Sequence, residues 1–199
     1  MPKKYIAECL GTFGLAFMVL GAVGAGAESP LVVPVIAALT LGLFVYTIGP
    51  VSGCHLNPAI TIGLLSIKKI SQKDAAMYVV AQILGAVFAL LAAKFFMFPM
   101  PVPAPGAFDM HLFAAEMLGA FFFALGVATV VRGGVPTHMS GMIVGGSLLL
   151  GVLASALSGA AGILNPAVAF TLNAVTVGYI LAPIVGAVIG FQLQQYLTK

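Results

Sequence analysis

Few side chains in this sequence could do chemistry, and their placement is unusual. Two carboxylates, Glu8 and Glu116, stand inside apolar runs. A carboxylate at membrane depth is costly and faces a bundle interior or a cavity. It could couple proton movement to transport, or it could accept hydrogen bonds from irregular backbone. The second role is preferred, because irregular backbone in lipid must find partners. Lys4 precedes Glu8 by one helical turn, which predicts an ion pair. His55 follows Cys54 directly, but two ligands are too few for a metal. His55 is expected to line the cytoplasmic half of a pore and to brace its loop. Cys9 and Cys54 are too few for a disulfide scaffold. The sequence carries no nucleotide loop, catalytic triad or metal-ligand set. No cofactor, no metal and no enzyme activity are expected.

The strongest signal is a repeated triplet, Asn57-Pro58-Ala59 and Asn165-Pro166-Ala167, 108 positions apart. Asn suits a helix N-cap, and Pro suits the first turn, where its missing N–H costs nothing. The triplets open apolar stretches at 57–67 and 165–174, too short to cross a bilayer. Two half-helices entering from opposite faces would bring two positive dipole ends together at the centre. Their amides could cap backbone on one side and donate to a passing oxygen on the other. A cation would meet positive potential there.

The elements that position these triplets must be membrane helices. The chain has 199 residues, of which 61% are hydrophobic and 7% charged. Its mean hydropathy is +1.17. A soluble domain carries about 25% charged residues, so a water-facing surface is excluded. The net charge of +3 marks topology rather than nucleic-acid binding. Six apolar segments read as spans, at about 5–24, 34–49, 75–98, 111–131, 139–158 and 177–197. They leave no room for a soluble domain.

The halves repeat. Ala7-Glu8 and Leu10-Gly11 recur as Ala115-Glu116 and Leu118-Gly119. Three spans per repeat is odd, so the halves are inverted, with a shared site at the midplane. The expected organisation is one domain over 1–199, with repeats at about 1–98 and 109–199. Ala25-Gly26-Ala27 resembles a cleavage site, but Glu8 and the repeat argue that this stretch belongs to the mature fold. An inside N-terminus makes Lys3, Lys4, Lys68, Lys69, Lys73, Arg132 and Lys199 cytoplasmic. Both termini are then cytoplasmic, in a multi-pass protein of the cell membrane, and Pro99 to Pro105 forms an outer connector. Gln82 is expected to bond between helices, and Ala182, Gly186, Gly190, Gly141 and Gly145 to permit close helix packing.

On these residues the chain resembles the aquaporin, or major intrinsic protein, family. Ala7-Glu8-Cys9-Leu10-Gly11-Thr12-Phe13 looks like the family's opening. Ser52-Gly53-Cys54-His55-Leu56-Asn57-Pro58-Ala59 looks like its first signature. The resemblance implies an all-α membrane fold of six spans and two re-entrant half-helices. It also implies a homotetramer in the lipid bilayer with one pore per subunit, and a second constriction called the aromatic/arginine filter. Family members usually continue the second triplet with Arg, whereas this chain has Val168. Counting back from Asn165 gives Leu153 and Gly162 for two ring positions. Ala37 supplies the second-span position, or Leu41 if that span holds a gap. The expected ring is apolar and wide. It suits water and small neutral solutes such as polyols, ammonia, undissociated metalloid hydroxides and dissolved gases. A proton-coupled transporter and a closed-pore structural protein are the alternatives.

Overall fold

A computed structural model describes residues 2–26, 29–101 and 108–198. Ala27, Lys199 and residues 102–105 of the Pro-rich connector lie outside the described residues.

Apolar composition and well-placed caps set the helices. The long ones are α1 (Pro2–Gly24), α5 (Gln72–Phe95), α6 (Met110–Val131), α7 (Ser140–Leu157, preceded by a 3-10 turn at Thr137–Met139) and α9 (Val177–Leu197). Counting the turn with α7, these five are long and apolar enough to cross a membrane. Ser71 caps α5 by accepting from Asp74 N at 3.1 Å, and Asp109 caps α6 by accepting from His111 N at 2.8 Å.

The remaining span is shorter than expected. α2 runs Val32–Thr47, 16 residues, or about 24 Å at the helical rise. It stops because Pro50 has no N–H for the next helical bond. The chain continues as one turn, α3 (Gly49–Ser52).

The two re-entrant helices are α4 (Pro58–Ser66) and α8 (Pro166–Thr171). They are exchanged between the halves. α4 packs on α9, with Gly63 facing Phe191, and α8 packs on α5 and α1. α1 pairs with α5 as α6 pairs with α9, and α2 and α7 join the halves. The small residues named from the sequence lie at these crossings. Gly186 faces the Met117 carbonyl, Gly190 lies against Phe121 and Ala124, and Gly145 lies against Ala38. A side chain at any of them would meet backbone, so these crossings require small residues.

Most of the described basic residues lie towards one end, Lys94 in the last turn of α5 excepted. Lys4 pairs there with Asp74 at 2.8 Å, and Tyr5 Oη donates to the same carboxylate at 2.8 Å. The expected Lys4–Glu8 pair is therefore not formed. Glu8 is fully buried, and an ammonium drawn in beside it would lose its hydration. Arg132 lies at the same end and donates to the last carbonyls of α9, at 3.2 Å to Gln195 O and 3.0 Å to Thr198 O.

Candidate pore and its two cavities

The triplets form helix caps at the centre of the bundle. Asn57 has an extended backbone, and its Oδ1 accepts from Ala59 N at 2.8 Å. Asn165 does the same with Ala167 N at 3.0 Å. The amide nitrogens cross over. Asn57 Nδ2 donates to Leu164 O, and Asn165 Nδ2 donates to Leu56 O, each at 2.9 Å. Each half-helix tip is thus bonded to the loop that leads into the other. Two buried hydrogen bonds of this kind are worth about 1 kcal/mol apiece.

The loops before the tips are built alike. Cys54, Leu56 and Leu164 have positive φ, of 54°, 49° and 52°, and Gly162 has 69°. The Gly162 position favours glycine, and its repeat equivalent Cys54 takes the same left-handed conformation at some strain. Such alternating backbone points successive N–H groups to one side. In the first loop they meet Glu8. His55 N reaches Oε1 at 2.9 Å and Leu56 N reaches Oε2 at 2.8 Å, with Ser52 Oγ and Gln82 Nε2 completing the set. In the second loop Gly162 N, Ile163 N and Leu164 N reach Glu116 at 2.7, 3.0 and 2.8 Å, with Ser155 Oγ at 3.0 Å. Four donors aimed at two oxygens suit an acceptor-only carboxylate. Neither carboxylate borders either cavity.

His55 is braced from two sides. Its Nδ1 lies 3.1 Å from Thr61 Oγ1, and its ring sits 4.8 Å from that of Tyr78. Thr61 gives its own proton to Asn57 O and accepts from Gln82 Nε2. Nδ1 is therefore assigned as the donor, which leaves Nε2 as an acceptor in the neutral ring.

Two cavities lie along the bundle. The wide one, away from the basic end, has a volume of about 360 Å³ and is bordered by Asn165, Val168, Ala37 and Gly162. The narrow one, at the basic end, has about 50 Å³ and is bordered by Cys54, His55, Ile60 and Leu41. The same helix faces wall both. On α2, Val33 and Ala37 border the wide cavity, and Leu41 and Val45 the narrow one. On α7, Ala156, Val152 and Leu148 border the wide cavity, and Val144 the narrow one. Residues four apart share a helix face, so each stripe runs unbroken past both cavities. Among the described residues, their ionisable wall side chains are Tyr179 at the wide cavity and Cys54 and His55 at the narrow one.

The inverted repeat organises these walls. Leu15, Val19 and Val23 of α1 border the wide cavity, and their equivalents Phe123, Val127 and Val131 of α6 border the narrow one. Gly162, Ile163, Val168 and Leu172 correspond in the same way to Cys54, His55, Ile60 and Leu64.

The sequence-derived ring is mostly together. Ala37, Gly162 and Val168 share the wide cavity, while Leu41 borders the narrow one. Leu153 does not border either cavity, and Val152 stands in its place. A helix turns about 100° per residue, so the stripe Leu148–Val152–Ala156 leaves Leu153 facing elsewhere. Counting back across the irregular loop before Asn165 could not fix that phase. Asn57 also borders neither cavity and is only 2% exposed, although its amide makes the same two bonds as that of Asn165. Sequence reading missed Val152, Phe123 and Thr61. The four-residue apolar spacing on α7 was the available signal for the first.

Comparison with known proteins agrees with this architecture. The profile described as Major intrinsic protein matches residues 1–194. Aquaporin AqpM of Methanothermobacter thermautotrophicus is 29% identical, with 100% of this chain and 98% of that protein covered. Glycerol uptake facilitator protein-like 6 of Lactiplantibacillus plantarum is 31% identical over 94% of each chain. The crystal structure of the aquaglyceroporin from Plasmodium falciparum superposes with a TM-score of 0.78, at 23% identity, covering 99% of this chain and 97% of that one. Inverted halves, exchanged half-helices and a profile match over nearly the whole length agree: this chain belongs to the major intrinsic protein family.

Proposed function

We propose that the chain is a passive membrane channel for water and small neutral solutes, formed by a single domain over 1–199. The observation that carries this reading is the pair of apolar-walled cavities strung along common helix faces on either side of the cross-bonded Asn57 and Asn165 tips. Two helix N-termini directed at the centre disfavour cations. Asn165 offers an amide at the wide cavity, and His55 a single acceptor at the narrow one.

Selectivity is relaxed at the wide end. Val168, Ala37, Gly162 and Val152 form an apolar ring with no fixed charge. Solutes larger or less polar than water are therefore accepted, glycerol-like polyols, ammonia and undissociated metalloid hydroxides among them. The relatives named as aquaporins and as a glycerol uptake facilitator support this class. Proton-coupled transport is disfavoured, since both intramembrane carboxylates are engaged by loop donors. We further read the protein as a homotetramer in the cell membrane, with both termini cytoplasmic, as the gathering of basic residues at one end suggests.

Stopped-flow light scattering on proteoliposomes tests the class. Water efflux, then re-swelling in glycerol and in a metalloid hydroxide, should both exceed protein-free vesicles and ignore an imposed proton gradient. Fast water flux with no glycerol or metalloid flux would refute the relaxed filter.

A further inference from the structure

The two cavities share repeat-equivalent walls from α1 and α6, the half-helices and their loops, but differ in size, about 360 and 50 Å³. Individual equivalent residues differ, one pair, Ala161 against Gly53, being smaller on the narrow side. Where the wide cavity has Leu15, the narrow one has Phe123. Val168 is matched by Ile60, Gly162 by Cys54 and Ile163 by His55. The first three exchanges add bulk on the narrow side. The fourth adds a ring that is held in place.

We propose that the size limit of the conduit is set at the basic end, by a collar of Phe123, Ile60 and His55, and not by the ring around Val168. Phe123 is 2% exposed and fixed in the core, with its Cβ closely approached by Gly151 of α7. Ile60 is likewise 2% exposed and sits in the first turns of α4. His55 cannot fold back, because Thr61 and Tyr78 hold its ring. Protein interiors are close-packed and yield little to a bulky intruder. A solute therefore crosses a roomy apolar vestibule first and meets its narrowest passage past the half-helix tips. Among the described residues there, the polar wall side chains are His55 and the weakly polar thiol of Cys54. The collar favours a slim neutral solute with a hydrogen to donate to Nε2, and rejects bulkier ones of equal polarity.

This rests on the channel reading, and the test separates the two. Full-length protein in liposomes is assayed with urea and N,N-dimethylurea, neutral probes of one chemical class and different width, with protein-free rates subtracted and each variant compared with wild type. Phe123→Leu copies the residue of the repeat equivalent. It should raise the dimethylurea-to-urea permeability ratio by about tenfold, the scale of a small volume change in an apolar site. Ile60→Val, a milder change that keeps the fold, should raise it in the same direction. Val168→Ile, which adds bulk at the wide ring instead, should shift it less than either collar variant. A ratio that ignores both collar variants, or that follows Val168→Ile instead, overturns the collar while wild-type flux keeps the channel. Wild-type vesicles that pass neither water nor urea above background remove both.

Discussion

The side-chain amide of Asn57 donates to the carbonyl of Leu164 at 2.9 Å, across 107 residues of sequence and between opposite halves of the fold. Its counterpart runs from Asn165 to Leu56 at the same distance. These bonds tie together two loops that could not otherwise satisfy their backbone in an apolar setting.

Asn57→Ala removes both a helix cap and a bridge. The cap is worth about 1 kcal/mol, and the bridge about as much again. Thermal unfolding in detergent should fall accordingly. Asn57→Ser restores a capping oxygen without the bridge and should recover roughly half of the loss.

The two carboxylates organise loops, so their charge matters through acceptor capacity. Glu116→Gln turns an NH2 group towards donors that now find no acceptor. Destabilisation of about 3 kcal/mol is expected, read as a lower unfolding temperature with reduced flux. The residual flux should not change when a proton gradient is imposed.

Helical phase on α7 gives a sharp contrast between neighbours. Val152→Phe fills the wide cavity and should cut glycerol permeability by about tenfold or more, since a narrow apolar passage dewets. Leu153→Phe should leave the permeability near wild type. The reverse outcome would restore the sequence-derived ring.

Val168→Arg introduces donors and a fixed positive charge into that ring. Permeation should narrow towards water, with glycerol re-swelling slowed relative to water efflux in the same vesicles. An unchanged solute preference would count against a role for the ring in polarity selection.

At the basic end, Asp74→Asn breaks a pair whose side chains are each 29% exposed. Such a pair is screened by water and adds little to stability. A small drop in unfolding temperature and unaltered flux are expected.

Much of this architecture is legible in the sequence because the lipid environment leaves few choices. Apolar runs of span length can only be helices, and Asn-Pro-Ala at equal positions in both halves announces the caps. The roles of Glu8 and Glu116 follow from the need to satisfy the loop N–H groups. What the sequence hides is phase and crossover. Leu153 and Val152 are both apolar, and only the packed orientation of α7 tells which faces the cavity. Lys4 has an acidic residue one turn away, yet pairs with Asp74, because burial of Glu8 outweighs proximity in sequence. Phe123 reads as one phenylalanine among 14 until the repeat sets it opposite Leu15.

The most direct measurement is the temperature dependence of glycerol permeability in vesicles containing the wild-type protein. A conduit lined by Asn165 and His55 replaces part of the solute's lost hydration. Entry should therefore be faster than in protein-free vesicles and should rise only shallowly on warming. Equal rates with an equally steep slope in both kinds of vesicle would contradict a path through the protein.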